Sequence, residues 1–159
     1  MADSYGSFDI IDGARDVFET VLIALMAELT TTTATYNYVY NQHHKALMKL
    51  NAVSIDVERI TPEISGQAQG LYSVHVLQVS VRFHNGFMGA QASDPVDTQE
   101  SGRVIDSIIN YFMERLNINA NYKIENIIDI NIYEEFSASR TFGSSVTFEV
   151  HYYADHNQV

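Results

Sequence analysis

The first part of the chain carries apolar residues at helical spacing. One face of a helix would present Val17, Phe18, Val21, Leu22, Leu25, Met26 and Leu29. This spacing predicts an amphipathic helix over residues 13–29. Asp12 is the expected N-cap, and Thr30–Thr33 ends the helix because consecutive β-branched residues lose side-chain freedom in a helix. Residues 1–12 are expected to form an extended tail.

A second helical pattern lies in the second half of the chain. Its apolar stripe consists of Val104, Ile105, Ile108, Ile109, Phe112, Met113 and Leu116. Asp97 precedes the stripe and Glu100 stands three residues later, so the pair forms a capping box that satisfies backbone amides at a helix start. We therefore predict a helix over residues 98–116.

Elsewhere, alternation of apolar and polar residues predicts β-strands. The alternating segments are 36–40, 53–57, 71–83 and a closing hairpin with strands through Ile124–Phe136 and Phe142–Tyr152. Residues 42–51 fit either a short helix or a continued strand. The segments 61–70 and 85–96 contain glycine and proline, so both are expected to be loops.

The segment 71–83 changes the phase of its alternation along its length. Even positions are apolar at Tyr72, Val74 and Val76, whereas odd positions are apolar at Leu77, Val79, Val81 and Phe83. A slip of one residue turns every side chain to the other face of a sheet. We therefore expect a bulge near Val76 or a switch of the buried face.

The predicted core combines both helix stripes with the inward positions of the hairpin. Almost complete burial is expected for Val21, Leu25, Ile105, Ile109, Ile130, Phe148 and Val150. Each hairpin strand has one polar face, as in an antiparallel sheet covered on one side. Two amphipathic helices against such a sheet predict an α+β fold. We expect a two-layer sandwich forming a single domain over residues 1–159, with 154–159 as a second tail.

The composition of the chain argues against several classes of function. The chain has no cysteine and a net charge of −11, from 9 basic and 20 acidic residues. Proteins that read duplex DNA normally have a basic face, so this balance argues against sequence-specific DNA binding. No signal-peptide pattern opens the chain, and its longest apolar run, Val21–Ala27, is shorter than the roughly 20 residues of a membrane span. We therefore expect an intracellular-type protein with no membrane partner.

Motifs for catalysis or cofactor binding are absent from the sequence. There is no phosphate-binding loop, no dinucleotide glycine fingerprint and no Gly-x-Ser-x-Gly elbow. His43 and His44 are adjacent, so they cannot share one face of an element as ligands of one metal ion. The carboxylates near the hairpin lie beside polar residues, whereas a general acid needs an apolar pocket. We expect no enzyme activity and no catalytic, cofactor or metal site.

Tyrosines and one predicted loop are candidate contact surfaces. Tyr36, Tyr38 and Tyr40 share one face of a predicted strand, and tyrosine provides amphipathic contact area at low entropic cost. The alternative is that these tyrosines pack within the sheet and form no contact with another subunit. Phe87 and Met88 lie between two glycines, which suits an apolar tip on a flexible loop.

The order of predicted elements resembles that of bacteriophage tail terminator proteins. The segments that carry the resemblance are strand 71–83 ending in Phe83-His84-Asn85-Gly86-Phe87, helix 98–116, and the pair Ile128–Phe136 and Phe142–Tyr152 with Phe142-Gly143 at its turn. The resemblance implies a virion protein of the tail or neck, assembled in the host cytoplasm. Such a protein forms a hexameric ring on the tail tube protein, stops tube growth, and docks to the head-completion protein.

The resemblance also implies that DNA passes through the lumen of the ring without being read. Acidic groups on the wall would keep it from binding. The candidate lumen residues are Asp94, Asp97, Glu125, Asp129, Glu134, Glu135 and Glu149. Two alternatives remain open: another neck or tail subunit, such as a head-completion or tube protein, and an unrelated ligand-binding α+β module.

Overall fold

The computed structural model describes residues 7–29, 38–41, 52–64, 72–87, 98–136 and 141–155. The elements in these ranges are α1 (Ser7–Leu29), β1 (Tyr38–Tyr40), β2 (Ala52–Ile64), β3 (Tyr72–Phe87), α2 (Thr98–Met113), β4 (Tyr122–Phe136) and β5 (Thr141–Asp155). The strands form one sheet of order β1-β2-β3-β5-β4. β1 runs parallel to β2, and the other neighbours pair antiparallel. The predicted α+β class with a mainly antiparallel sheet is confirmed.

Both helices pack on the same face of the sheet. A single hydrophobic cluster joins Ile10, Ala14, Phe18 and Leu22 of α1 and Ile105, Ile108 and Phe112 of α2 to Leu77, Val79, Val81, Phe83, Val146, Phe148 and Val150 of the sheet. The strand residues in this cluster alternate along β3 and β5, so one face of the sheet is covered by helices. This arrangement is the predicted two-layer sandwich.

Three phenylalanines from different elements form the centre of the core. The ring of Phe18 on α1 stacks on Phe112 of α2 with centroids 4.8 Å apart. Phe112 lies 5.2 Å from Phe148 on β5, and Phe18 lies 6.0 Å from the same ring. All three side chains are fully buried. The cluster therefore joins both helices to the central part of the sheet.

Helix boundaries differ from the predicted ones at both helices. α1 begins at Ser7 instead of residue 13, because Ile10 and Ala14 extend its buried face toward the N-terminus. Asp12 therefore lies inside the helix and pairs with Arg15 at 3.3 Å, so its prediction as an N-cap is wrong. α2 ends at Met113, three residues before the predicted end. The predicted cap residue Asp97 lies outside the described residues.

Strand boundaries also extend further than predicted. β2 continues through residues 61–64, which were expected to form a loop, because they pair with Ser73–Val76 of β3. β5 reaches Asp155, so residues 154 and 155 of the predicted tail belong to a strand. The undecided segment 42–51 lies outside the described part of the chain.

The expected bulge near Val76 is wrong. β3 pairs with β5 without interruption from Tyr72 to His84, and its bulge lies at Asn85. The buried residues Leu77, Val79, Val81 and Phe83 share one parity, which matches the helix-covered face.

The hairpin prediction is correct in topology and wrong in part of its register. Of the seven predicted core residues, Leu25, Ile105, Phe148 and Val150 are buried, and Val21 and Ile109 are half-buried. Ile130 is 44% exposed. Ile130 pairs with buried Val146 on the helix-covered side, but β4 is the edge strand, so this side chain is open to solvent. Three register shifts, after Ile124, Ile127 and Asn131, also interrupt the alternation of β4. A simple alternation cannot keep one face of such a strand inward.

Replacing Phe18 with alanine tests the aromatic cluster. We expect the free energy of unfolding to fall by about 3–5 kcal/mol, because lost burial and the resulting cavity add. The matched control is Ile23→Ala on the same helix, where the side chain is 52% exposed. This control should change stability by no more than about 0.5 kcal/mol. Urea denaturation measures both, and equal midpoints for the two variants would contradict the assignment of the core.

Alanine substitutions at two glycines should change the stability of the protein in opposite directions. A methyl group on Gly143 would overlap the backbone carbonyl oxygen of Phe83 and lie 2.7 Å from Asn85 Oδ1. We expect Gly143→Ala to destabilise the protein by about 1–3 kcal/mol, because the backbone of β3 must move. In Gly102→Ala the nearest atom is Ile132 Cγ2 at 3.9 Å, so a gain of about 0.5–1 kcal/mol in helix α2 is expected. Thermal unfolding that lowers both midpoints, or raises both, would contradict this geometry.

Candidate functional site

The sheet face that points away from the helices is built from polar side chains. We call it the polar face and define it by Ser54, Asp56, Ser80, Arg82, His84, Asp129, Asn131, Ser145, Thr147, Glu149 and His151. The strand register aligns these residues in rows, for example Asp56, Ser80, Thr147 and Asp129 across four strands. Their neighbours along β2, β3 and β5 belong to the helix-covered core. The polar face is therefore the reverse side of the same alternation that builds the core.

A fully buried histidine connects three strands on this face. The Nε2 atom of His84 on β3 lies 2.7 Å from Ser54 Oγ on β2. The Nδ1 atom of the same ring is hydrogen-bonded to Thr141 Oγ1 on β5. The ring stands edge-on to Phe136 of β4, with centroids 4.7 Å apart. Hydroxyl groups can donate or accept, so they can satisfy either neutral tautomer of the ring.

The Ser54 and His84 pair has the atom types of a nucleophile and its base. Catalysis by such a pair requires access of a substrate carbonyl to the serine hydroxyl. Both residues have no exposed area in the protein. The contact is therefore a cross-strand bridge that fixes β2, β3 and β5 to one another.

Arg82 is held in the middle of the polar face by two carboxylates. Its guanidinium contacts Asp56 Oδ2 at 3.1 Å and Glu58 Oε1 at 2.5 Å. The same group lies 5.8 Å from the centre of the Phe136 ring. The two carboxylates outnumber the single cation, so this cluster contributes a net charge of −1 to the face.

The polar face and its rim are electronegative in the described residues. The carboxylates are Asp56, Glu58, Glu125, Asp129, Glu134 and Glu149, and the bases are Arg59, Arg82 and Lys123. Six acids and three bases give a net charge of −3 with His151 neutral. A surface with this balance repels a polyanion such as DNA at short range.

Several carboxylates of the polar face are held by neighbouring side chains. Glu134 accepts a hydrogen bond from Ser145 Oγ at 2.8 Å, and Glu149 contacts His151 Nε2 at 2.8 Å. Glu125 accepts a bond from the Tyr153 hydroxyl at 3.3 Å. Partial desolvation, followed by the charge of Glu125, raises the pKa of Tyr153. The hydroxyl is therefore a donor at neutral pH.

The predicted lumen residues fall into two groups. Glu125, Asp129, Glu134 and Glu149 belong to the polar face or its rim. Glu135 is paired with Phe142, whose position in β5 belongs to the helix-covered side of the sheet. Glu135 therefore lies on that side and is exposed there. Asp94 and Asp97 lie outside the described residues.

The predicted contact residues are dispersed. Tyr40 of β1 is half-buried and aligned with Ser54 on the polar face, Tyr38 belongs to the same strand, and Tyr36 is outside the described residues. Phe87 is the last residue of β3, paired with Thr141, so residues 85–87 of the predicted loop 85–96 belong to a strand. Met88 is not among the described residues.

Sequence reasoning missed one apolar surface and one cleft of mixed polarity. The first, the β4 ridge, consists of Ile128, Ile130 and Ile132, which are 45%, 44% and 43% exposed. The second, the α2 cleft, has a volume of about 410 Å³ and is lined by Val21, Met113, Glu114, Arg115, Leu116, Asn117 and Ile118. Alternation alone had assigned Ile130 to the core. The α2 cleft exists because α2 ends earlier than its apolar stripe.

No protein-family model matches the sequence, and no curated protein matches it. Within the described ranges, no group of three or more His, Asp or Glu residues is arranged to hold a metal ion. Neither helix in these ranges is long and apolar enough to cross a membrane.

The bridge at His84 can be tested by removing one hydroxyl. Ser54→Ala takes away the partner of a buried ring nitrogen, so we expect a loss of about 1–3 kcal/mol in the free energy of unfolding. Ser107→Ala is the control. Ser107 lies on the exposed surface of α2, where its hydroxyl donates to the backbone oxygen of Arg103. Its stability should stay within about 0.5 kcal/mol of the parent. If chemical denaturation finds Ser54→Ala as stable as the control, the bridge does not hold the strands.

Proposed function

We propose that this chain is a structural subunit of a bacteriophage tail, specifically a tail terminator. In this role it forms a ring on the end of the tail tube, stops further polymerisation of the tube protein, and provides the surface to which the head docks. The order of elements that prompted the resemblance agrees with the α+β sandwich of the structure. The strongest support for this proposal is the negative charge of the polar face.

The charge of the polar face suits the wall of a DNA channel. Each exposed Lys or Arg facing DNA would release counterions and bind phosphate, and a ring would multiply this attraction. On the polar face Arg82 is mostly buried and neutralised by Asp56 and Glu58. Glu134 and Glu149 are anchored by neighbouring side chains. DNA would therefore slide past this face without being retained.

A structural role also agrees with the state of the potentially reactive groups. His84 and Ser54 are buried and bonded to each other. By contrast, the chain exposes apolar surface at the β4 ridge, where three isoleucines are each more than two-fifths exposed. Contiguous exposed apolar side chains mark a surface for association with another protein.

The second candidate function is a ligand-binding module, and the α2 cleft favours it. Its volume of about 410 Å³ lies in the range of small-molecule sites, roughly 300–1,000 Å³. A module of this kind would bind a small ligand with both polar and apolar groups as a monomer. Saturable, stoichiometric ligand binding by a monomeric chain, with no effect on tail tubes, would select this alternative. Another tail or neck subunit would instead associate with virion proteins without limiting tube length.

Tube assembly tests the proposed function directly. Tail tube protein from the same phage is polymerised with and without the purified chain, and tube lengths and ends are measured by electron microscopy. We expect shorter tubes with additional density at one end when the chain is present. Tubes of unchanged length with bare ends would contradict the role of terminator.

Charge reversal tests the orientation of the polar face. In the variant Asp129→Lys/Glu149→Lys, DNA affinity of the assembled protein should rise at least tenfold at low salt and fall steeply as salt increases. The control Glu28→Lys/Asp106→Lys makes the same change in net charge at exposed sites on α1 and α2. Its gain should be much smaller. Fluorescence anisotropy with a labelled duplex measures both, and equal gains would show that the polar face does not line the channel.

A further inference from the structure

We propose that Asn85 and Gly86 form a deamidation site that the fold holds in an unreactive state. Asn85 loses its side-chain amide only when the pairing of β3 with β5 opens at this end of the sheet, and the product prevents the pair from closing again. Asn85 is the one asparagine in the sequence that a glycine follows. The inference does not depend on the proposed tail role, because it concerns the chemistry of the chain itself.

An asparagine followed by glycine can close a ring on its own backbone. The backbone nitrogen of Gly86 attacks the side-chain carbon Cγ of Asn85, a C–N bond forms, and the bond from Cγ to the amide nitrogen breaks with release of ammonia. The cyclic imide then takes up a water molecule and opens to aspartate or to isoaspartate, in which the chain continues through the side chain. Glycine favours the first step because it has no Cβ to hinder the approach and its backbone rotates freely.

In the folded protein, Asn85 is the extra residue of a β-bulge. His84 pairs with Gly143 on one side of it, and Gly86 pairs with Phe142 on the other. Both flanking residues are therefore held by β5. The backbone at Asn85 cannot rotate into the geometry of the ring while these two pairs stay formed.

The side chain of Asn85 is packed against β5. Its Oδ1 atom lies 2.7 Å from the position that a Cβ atom on Gly143 would occupy, so the side-chain carbonyl fills space that a glycine leaves. Asn85 is only 1% exposed. Ring closure requires Cγ to turn back over the nitrogen of Gly86, and hydrolysis requires water. Both steps therefore need the β3 and β5 pair to open.

The product of deamidation does not fit the closed bulge. Asn85 Oδ1 is buried without a hydrogen-bond partner in the described residues, and the backbone oxygen of Phe83 is also close to Gly143. An aspartate would bring a negative charge beside these oxygen atoms, at a cost in lost hydration that the uncharged amide avoids. An isoaspartate would lengthen the backbone of β3 and disturb its register with β5. A modified chain therefore stays open at this point.

Peptide mapping at mildly alkaline pH tests the protection of Asn85. The full chain is incubated folded in buffer and unfolded in urea, and is then digested with trypsin. Mass spectrometry follows the peptide from Phe83 to Arg103, in which Asn85 is the only asparagine, for aspartate and isoaspartate. We expect Asn85 to be lost at least roughly tenfold faster in urea, because the folded chain reacts only through its open state.

Variants of the folded chain test whether opening controls the rate. Ser54→Ala, which removes a partner of His84 beside the bulge, should raise the rate of deamidation in buffer roughly fivefold, since the rate follows the population of the open state. Phe18→Ala weakens the core without touching the bulge and should also raise the rate. Ser107→Ala is the matched control and should leave it unchanged.

The substitution Asn85→Asp reproduces the aspartate product. It should lower the urea midpoint of unfolding, whereas Asn110→Asp makes the same change in charge at an exposed site on α2 and should not. Three results would overturn the inference: equal rates of deamidation in buffer and in urea, an Asn85 that stays unmodified in urea, or equal midpoints for the two aspartate variants.

Discussion

The pairing of β3 with β5 is the constraint on which the rest of the structure depends. It runs without interruption from Tyr72 opposite Asp155 to His84 opposite Gly143. With a side-chain period of two, this register places Val79, Val81 and Phe148 under the helices and sends the intervening residues to the polar face. A slip of one residue would exchange the two faces completely. The core and the electronegative surface are therefore two results of one register.

This coupling explains why the polar face is ordered as well as charged. Buried polar groups lose hydration, so they must find partners within the sheet. Ser80 bonds Thr147 across the β3 and β5 pair, and His84 bonds Ser54 across β2 and β3. The carboxylates of the face stay partly or fully exposed. The face therefore presents negative charge above a hydrogen-bonded layer of buried side chains.

The sequence predicted the features that follow from local periodicity. The helix stripes, the two-layer architecture and the closing hairpin all come from regular spacing. The start of α1 was missed because Asp12 was taken as its N-cap. The helix instead continues through Gly13, which lies beneath Tyr122, and the Tyr122 hydroxyl donates to Ile10 O at 2.8 Å. Burial raises the pKa of Tyr122 well above its usual range, so this donor stays protonated. Such long-range contacts leave no trace in periodicity, and neither do the edge position of β4, which exposes Ile130, or the partners of His84.

The edge strand β4 combines two opposing physical demands. Exposed isoleucines on a sheet edge favour association, yet a regular apolar edge would also recruit strands without control. The bulges of β4 interrupt the row of backbone groups that an added strand would need. What remains on this edge is a set of exposed isoleucine side chains, so any association through β4 must rest on those side chains and not on strand addition.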